Sequence, residues 1–211
     1  MKKTFMSVLV AMAVLVSSPL ARAATDLADN AMEVKPLLNG MSIPPITVKM
    51  ADGTPVSLQA LVMQKPTIVL FYRGGWCPYC SRQLAGLKDI EADLVELGYQ
   101  VLAISPQSVA MLQEQKLETE FAVNLLSDEN LDAIAGFGIG FYLDEDTVAK
   151  YKGYGISLTQ DSNGRAVLPA PAIFFVDQKG VVQMSYVNPD YKVRPSADLV
   201  LAVAKALRAE N

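Results

Sequence analysis

The chain contains two cysteines, three residues apart in Trp76-Cys77-Pro78-Tyr79-Cys80. Before them runs Thr67-Ile68-Val69-Leu70-Phe71-Tyr72, apolar, β-branched and aromatic, the composition of a buried strand. After them, apolar residues recur at Leu84, Leu87, Ile90, Leu94 and Leu97, a helical spacing that predicts one helix ending at Gly98. The pair therefore falls where a strand turns into a helix. Cys77 is expected at the first helical position and more exposed, with Cys80 about one turn deeper. Free N–H groups and the helix dipole at such a start stabilise a thiolate. This is the setting of a dithiol–disulfide couple, with Cys77 and Cys80 as its redox disulfide. Two core cysteines that happen to be neighbours are the alternative, and they need no such spacing.

The N-terminus suggests where the couple works. Lys2 and Lys3 precede an apolar stretch, Ser17-Ser18-Pro19 breaks it, and Ala21-Arg22-Ala23 follows. This pattern predicts a signal peptide over 1–23, cleaved after Ala23. The stretch is shorter than the roughly 20 apolar residues of a membrane span, so no stable membrane anchor is expected. Export to an oxidising compartment, a bacterial periplasm, follows. The remainder, 24–211, is 188 residues, enough for one domain with a full core.

Cleavage takes away Lys2, Lys3 and Arg22 but no acid, moving the formal charge from −4 to −7. Such a domain is not expected to bind nucleic acid or anionic lipid. Histidine is absent, which excludes Ser-His and Cys-His hydrolases, most zinc enzymes and His-ligated copper carriers. Two thiolates are too few for a structural zinc site, so neither metal nor cofactor is expected. Sulfur chemistry is what remains.

Along the chain, a short helix is expected over 24–38 and a strand over 46–50. Ser57 is placed to cap a short helix ending before Pro66. Beyond the cysteine helix come a strand over 99–104, a helix near 107–117, a strand over 123–126 and a helix over 129–137. Five glycines punctuate 138–168, an expected insertion. Strands over 172–176 and 181–187 flank Asp177-Gln178-Lys179-Gly180 as a hairpin, and Ser196 caps a terminal helix. The order implies parallel pairing completed by antiparallel strands.

Strand, W-C-x-x-C, helix and a proline opening the hairpin resemble the thioredoxin fold. The segment Phe71-Tyr72-Arg73-Gly74-Gly75-Trp76-Cys77-Pro78-Tyr79-Cys80 resembles the peroxiredoxin-like branch of the alkyl hydroperoxide reductase and thiol-specific antioxidant family. Weaker matches lie at 40–44, 103–105, 154–156, 171–180 and Asp190-Tyr191-Lys192-Val193-Arg194. The resemblance implies an α/β thioredoxin fold of three layers, with a mixed central sheet, a C-terminal antiparallel hairpin and an N-terminal extension. It also implies an antioxidant thiol enzyme acting on a thiol or disulfide protein, or on a peroxide, with a redox partner.

Peroxiredoxins carry a proline, a threonine and the peroxidatic cysteine in one segment, with an arginine from a later strand. On this sequence those positions fall on Arg73, Cys77, Cys80 and Pro171, so three of the four depart. The resemblance then favours thiol–disulfide exchange, with Cys77 attacking and Cys80 resolving. The alternative is a peroxidase in which Cys80 is peroxidatic and Cys77 resolves. In the exchange reading Ala170–Pro171 is a cis peptide that exposes the Ala170 backbone to an extended substrate; otherwise Pro171 is an ordinary trans proline starting a strand. Arg73 is either an anion stabiliser or a solvated loop charge, and Trp76 either shields the bridge or packs in the core. Pro78-Tyr79 resembles the glutaredoxin dipeptide, implying a couple less reducing than thioredoxin's. Thioredoxins place a buried acid where this chain has Phe71, which leaves the proton acceptor of Cys80 unassigned.

Overall fold

In the computed structural model, residues 27–119 and 123–209 are described, so the expected signal segment 1–23 and its expected cleavage point lie outside the described residues. The strand before the cysteines, β3 (Thr67–Phe71), is buried at every position. Its alternation explains why. Val69 and Phe71 enter one apolar cluster with Phe137 and Phe174, while Ile68 and Leu70 enter a second with Cys77, Cys80, Leu84, Leu87 and Val200. A strand apolar on both faces belongs in the middle of a sheet covered on both sides.

β3 is central in a seven-stranded sheet, where it pairs in parallel with β4 (Gln100–Ser105) and antiparallel with β8 (Ala172–Val176). β4 pairs in parallel with β5 (Asn124–Ser127), and β8 forms the expected hairpin with β9 (Val182–Val187). The far edge is a hairpin of β1 (Thr47–Met50) and β2 (Pro55–Ser57), with β1 antiparallel to β5. β2 was not foreseen, because three residues are too few to show alternation. Helices cover both faces, giving the three layers expected of a thioredoxin fold.

Ser57 caps α1 (Leu58–Val62), accepting a hydrogen bond from the Ala60 N–H, as expected. The single cysteine helix divides into α2 (Pro78–Asp89) and α3 (Glu91–Glu96), hinged at Ile90 with φ −105° and ψ 6°. The apolar spacing runs through the break because Leu87, Ile90 and Leu94 still pack in one cluster. Then follow α4 (Val109–Thr119) and α5 (Asp132–Gly136), and Ser196 caps α7 (Ala197–Ala209) through the Leu199 N–H; α6 lies between them, as described next.

Two expectations fail in instructive places. Over 27–38 the chain forms one 3-10 turn, Ala31–Glu33, and otherwise runs extended. Its N–H groups are taken by a neighbouring segment: Ala28 donates to Gly140, Lys35 to Gly138 and Leu37 to Phe137, and Pro36 opposes helix. The segment 138–168 is built rather than irregular. β6 (Gly140–Tyr142) pairs antiparallel with β7 (Val167–Pro169), and between them stands α6 (Glu145–Gly153), capped by Asp144. Among the described residues no helix is long and apolar enough to cross a membrane.

Candidate active site

Where β3 ends, the backbone turns toward α2 through Gly74, with φ +149°. A Cβ there would lie 2.4 Å from the Trp76 indole nitrogen, so the tight turn beneath the tryptophan requires glycine. Gly75 N–H donates to Gln107 Oε1 at 2.8 Å, tying the turn to the end of β4. Cys77 is the N-cap of α2 rather than its first helical residue, and Pro78 takes the position where no N–H is needed. Cys77 carbonyl accepts from the N–H groups of Cys80 and Ser81.

Both cysteines are reduced. Cys77 remains the outer of the two, but neither is open to solvent: Cys77 is 1% exposed and Cys80 0%. The reason is a set of side chains arriving from distant segments. Arg194, in the loop before α7, donates from one terminal nitrogen to Cys80 Sγ at 3.3 Å and from the other to Gln83 Oε1 at 2.6 Å. Its Nε–H donates to the Tyr191 carbonyl at 2.9 Å, so the guanidinium is held on three sides. Tyr191 meets Tyr79 edge to face, with ring centroids 5.7 Å apart. Pro78 itself is exposed.

Arg73 is not a solvated charge. It is 4% exposed, and its guanidinium lies 4.2 Å from the Tyr191 ring centre, 5.2 Å from Trp76 and 5.3 Å from Tyr151. One terminal nitrogen donates to Tyr151 Oη, while Nε is buried without a partner. Trp76 meets Tyr151 at a tilt of 51°, with ring centroids 5.3 Å apart, and also packs against the cluster that holds both cysteines. It is half-buried, at the edge of that cluster rather than in its core.

The electrostatics separate the two sulfurs. Cys77 is lowered from its ordinary value to about 6, chiefly by the hydrogen bond from the Cys80 thiol, against the opposing effect of burial. The Cys80 backbone N–H and the charges of Arg73 and Arg194 add to the lowering. Cys80 is pushed up, by burial first and then by its bond to Cys77 and the negative charge there. The pair thus holds one negative charge near neutral pH, shared across a thiol–thiolate hydrogen bond and resting mainly on Cys77. Neither arginine has a carboxylate partner among the described residues, where the ion pairs are Lys49–Glu129 and Arg165–Asp29.

No acid stands among the groups that shift either cysteine. Phe71, at the position of the missing acid, faces the opposite core. The buried acid of the fold is Asp128, raised to about 7 by burial, and its carboxylate is spent on the N–H groups of Ala133 and Ile134 at the start of α5. Tyr72, fully buried beside the cysteines, donates to Gln115 Oε1 at 3.1 Å, and burial keeps its phenol protonated.

The proline expectation is overturned. The described residues contain no cis peptide bond, so Ala170–Pro171 is trans. Nor is the Ala170 backbone free, since its N–H donates to the Ile139 carbonyl at 2.8 Å and the residue is fully buried. The cause is the β6–β7 hairpin, which occupies the ledge a substrate strand would use. The Pro171 carbonyl likewise accepts from the Asn188 N–H at 3.2 Å.

Three site residues escaped sequence reasoning: Tyr151, Tyr191 and Arg194. The last two lie in the segment Asp190–Arg194 whose family resemblance was visible, and that was the available signal. Tyr151 sits in the glycine-punctuated segment and had none.

Known proteins resemble this chain in sequence and in fold. The AhpC/TSA family model matches residues 40–185. The chain is 25% identical over 169 residues to the chloroplastic peroxiredoxin Q of Sedum lineare, covering 80% of this chain and 78% of that one. It is 30% identical over 155 residues to a Coxiella burnetii chain named for peroxiredoxin bcp, covering 73% of this chain and 89% of the other. Reduced Prx3 of Vibrio vulnificus, solved with H2O2, superposes with a TM-score of 0.66 at 15% identity, over 80% of this chain and 99% of that one. Sequence match and shared architecture place this chain in the AhpC/TSA family, with the thioredoxin fold of the peroxiredoxins.

Proposed function

We propose that this chain is a thiol peroxidase of the peroxiredoxin type, with Cys80 peroxidatic and Cys77 resolving, in place of the exchange enzyme expected from the sequence. The observation that carries this reading is the Arg194 guanidinium donating to Cys80 Sγ at 3.3 Å. Pro171 stands where the family's arginine was expected and Cys77 where its threonine was, and the loss of both counted against a peroxidase; Arg194 brings a guanidinium to the same sulfur from another segment. Two further features weigh against protein disulfides as substrates. Both sulfurs are buried, and the Ala170 N–H is already bonded. A peroxide is small enough to reach such a site.

In this mechanism the shared proton moves to Cys77, and the Cys80 thiolate attacks the outer peroxide oxygen. The O–O bond breaks, the departing alkoxide takes the proton from Cys77 to become an alcohol or water, and Cys80 becomes a sulfenic acid beside the Cys77 thiolate this leaves. Cys77 thiolate then attacks the Cys80 sulfur, expelling hydroxide, which leaves as water, and closing the 77–80 disulfide. An external dithiol returns both thiols. The depressed value of Cys77 suits a resolving nucleophile at neutral pH. It also supports a second reading, in which Cys77 attacks first and the chain exchanges disulfides.

The single variants separate the two readings. Under the peroxidase reading, Cys77→Ser accumulates a dimedone-reactive sulfenic acid at Cys80 within seconds of stoichiometric hydrogen peroxide. An inert Cys77→Ser, together with a Cys80→Ser that traps mixed disulfides, would hand the function to exchange. We further propose that the protein works in the periplasm after cleavage at Ala23, on the strength of its charged, apolar and small-residue N-terminus. N-terminal sequencing of periplasmic material that found Met1 would end that proposal.

A further inference from the structure

A cavity of about 510 Å³ is walled by Phe141, Tyr142, Tyr151, Tyr154 and Tyr191 and bordered by Arg73, whose charge acts on Cys77. Three prolines, at 169, 171 and 189, join these rings in a lining that also carries polar side chains. Arg73 is its only deeply buried charge. Asp29, Asp144 and Lys150 also border the cavity, but all three are exposed to solvent. Both Asp144 carboxylate oxygens are engaged by Thr147, through its N–H and its hydroxyl.

Arg73 has binding capacity to spare. A guanidinium carries five N–H donors. One terminal nitrogen serves Tyr151, while the buried Nε–H has no acceptor. Arg73 and Arg194 together bring two positive charges to a site whose thiol pair holds one negative charge. No carboxylate among the described residues forms an ion pair with either arginine. A buried cation without a counter-charge is costly, so the site favours one further monoanion. A carboxylate matches that single surplus charge and the planar fork, whereas a phosphate dianion would exceed it. The aromatic walls favour an apolar body behind the anionic group.

We propose that this cavity binds the carboxylate of an organic hydroperoxide with an apolar body, and that Arg73 is its anchor. The word hydroperoxide rests on the peroxidase reading above; the recognition of an apolar carboxylate rests on the cavity alone. Arg73 stands where the family has proline, so this preference belongs to this chain rather than to the fold.

The test uses the reduced wild-type protein and two unreactive probes of equal shape, 3-phenylpropanoate and 3-phenylpropanamide. Trp76, the single tryptophan, meets Tyr151 at a tilt and faces Arg73, so its fluorescence reports occupancy. The carboxylate should bind at least about tenfold more tightly than the amide, the size of a charge-assisted hydrogen bond. That preference should collapse in Arg73→Gln, while Tyr154→Ala, a change at an exposed wall position, weakens both probes alike. The Arg73 Nε–H resonance of the wild type should also shift with the carboxylate and not with the amide, which needs no variant to fold. Equal affinities in the wild type, or a preference retained by Arg73→Gln, would overturn the proposal. Turnover tells the two claims apart. If an aryl hydroperoxide bearing a carboxylate and its amide analogue both fail to react while the probe preference stands, the peroxidase reading has failed and the subsite has not. If both react with equal KM, the subsite falls.

Discussion

The hydrogen bond between the two cysteines can be weighed by removing its donor. Cys77 is lowered from an ordinary value near 9 to about 6, a net stabilisation of its thiolate of about 4 kcal/mol at 1.36 kcal/mol per unit. The Cys80 thiol is the largest single cause. A hydrogen bond to a charged group contributes about 1.5–3 kcal/mol, so Cys80→Ala should raise the Cys77 titration by about one to two units. Cys80→Ser keeps a hydroxyl donor and should restore most of the lowering, whereas Arg73→Gln removes only a weaker charge effect and should shift it less. Ultraviolet thiolate absorbance against pH reads this without needing a reagent to reach a buried sulfur. Stability supplies a second readout whose sign follows from linkage. Between about 6 and 9 the unfolded chain holds a proton that the native thiolate has lost, so stability rises with pH across this window and is lost as pH falls through about 6. Urea midpoints of the reduced protein should show that rise, and Cys80→Ala should flatten it. A Cys80→Ala titration coincident with wild type would refute the assignment of the lowering to this bond.

Arg194→Gln should slow sulfenic acid formation at Cys80 by about a hundredfold, as expected when a donor aimed at developing charge is lost, while the urea midpoint changes little. Stopped-flow mixing of Cys77→Ser with and without the second change measures it, and equal rates would take Arg194 out of the mechanism. Asp128 works in the opposite sense to the cysteine, because its folded value of about 7 lies above its ordinary 3.8. The native state then keeps a proton that the unfolded chain loses, so stability should fall by up to about 4 kcal/mol as pH rises from about 4 to 7. Asp128→Asn should abolish that fall in a Cys77→Ser background, where the thiolate no longer opposes it; a retained slope would refute the assignment. Oxidation to the disulfide removes the thiolate that faces both arginines, so amide exchange over 188–196 should be faster in the oxidised than in the reduced protein. Equal exchange would separate the Arg194 segment from the redox state.

What could be foreseen from the sequence was what neighbouring residues decide among themselves. β3 shows as apolar at every position, α1 by its serine cap, and the β8–β9 hairpin by Asp177 to Gly180, because each signal is complete within a few residues. The cysteine motif was legible for the same reason. Features decided between distant segments were not. Arg194 lies 114 residues from Cys80 and Tyr151 lies 78 from Arg73, and no periodicity links them. The trans Pro171 and the bonded Ala170 N–H follow from β6 and β7, hidden in a stretch whose glycines pointed to an insertion. The depth of Cys77 is decided in the same way: a helix start offers access until another segment covers it.

The two arginines show why that covering matters. A guanidinium withdrawn from water without a carboxylate must be compensated in other ways. Arg73 is compensated by three aromatic ring faces and a phenol, each cation–π contact contributing about 0.5–2 kcal/mol. Arg194 is compensated by a carbonyl, an amide oxygen and a sulfur. None of these partners carries a full negative charge except the thiol pair itself. A carboxylate beside either arginine would be the more stable arrangement, and it would also neutralise the field that holds a proton off the sulfur. The aromatic setting leaves that field available where a peroxide oxygen must depart as an anion. In a chain without histidine, where no buried acid serves either cysteine, positive charge held by neutral partners adds to the Cys80 hydrogen bond in making a reactive thiolate at neutral pH.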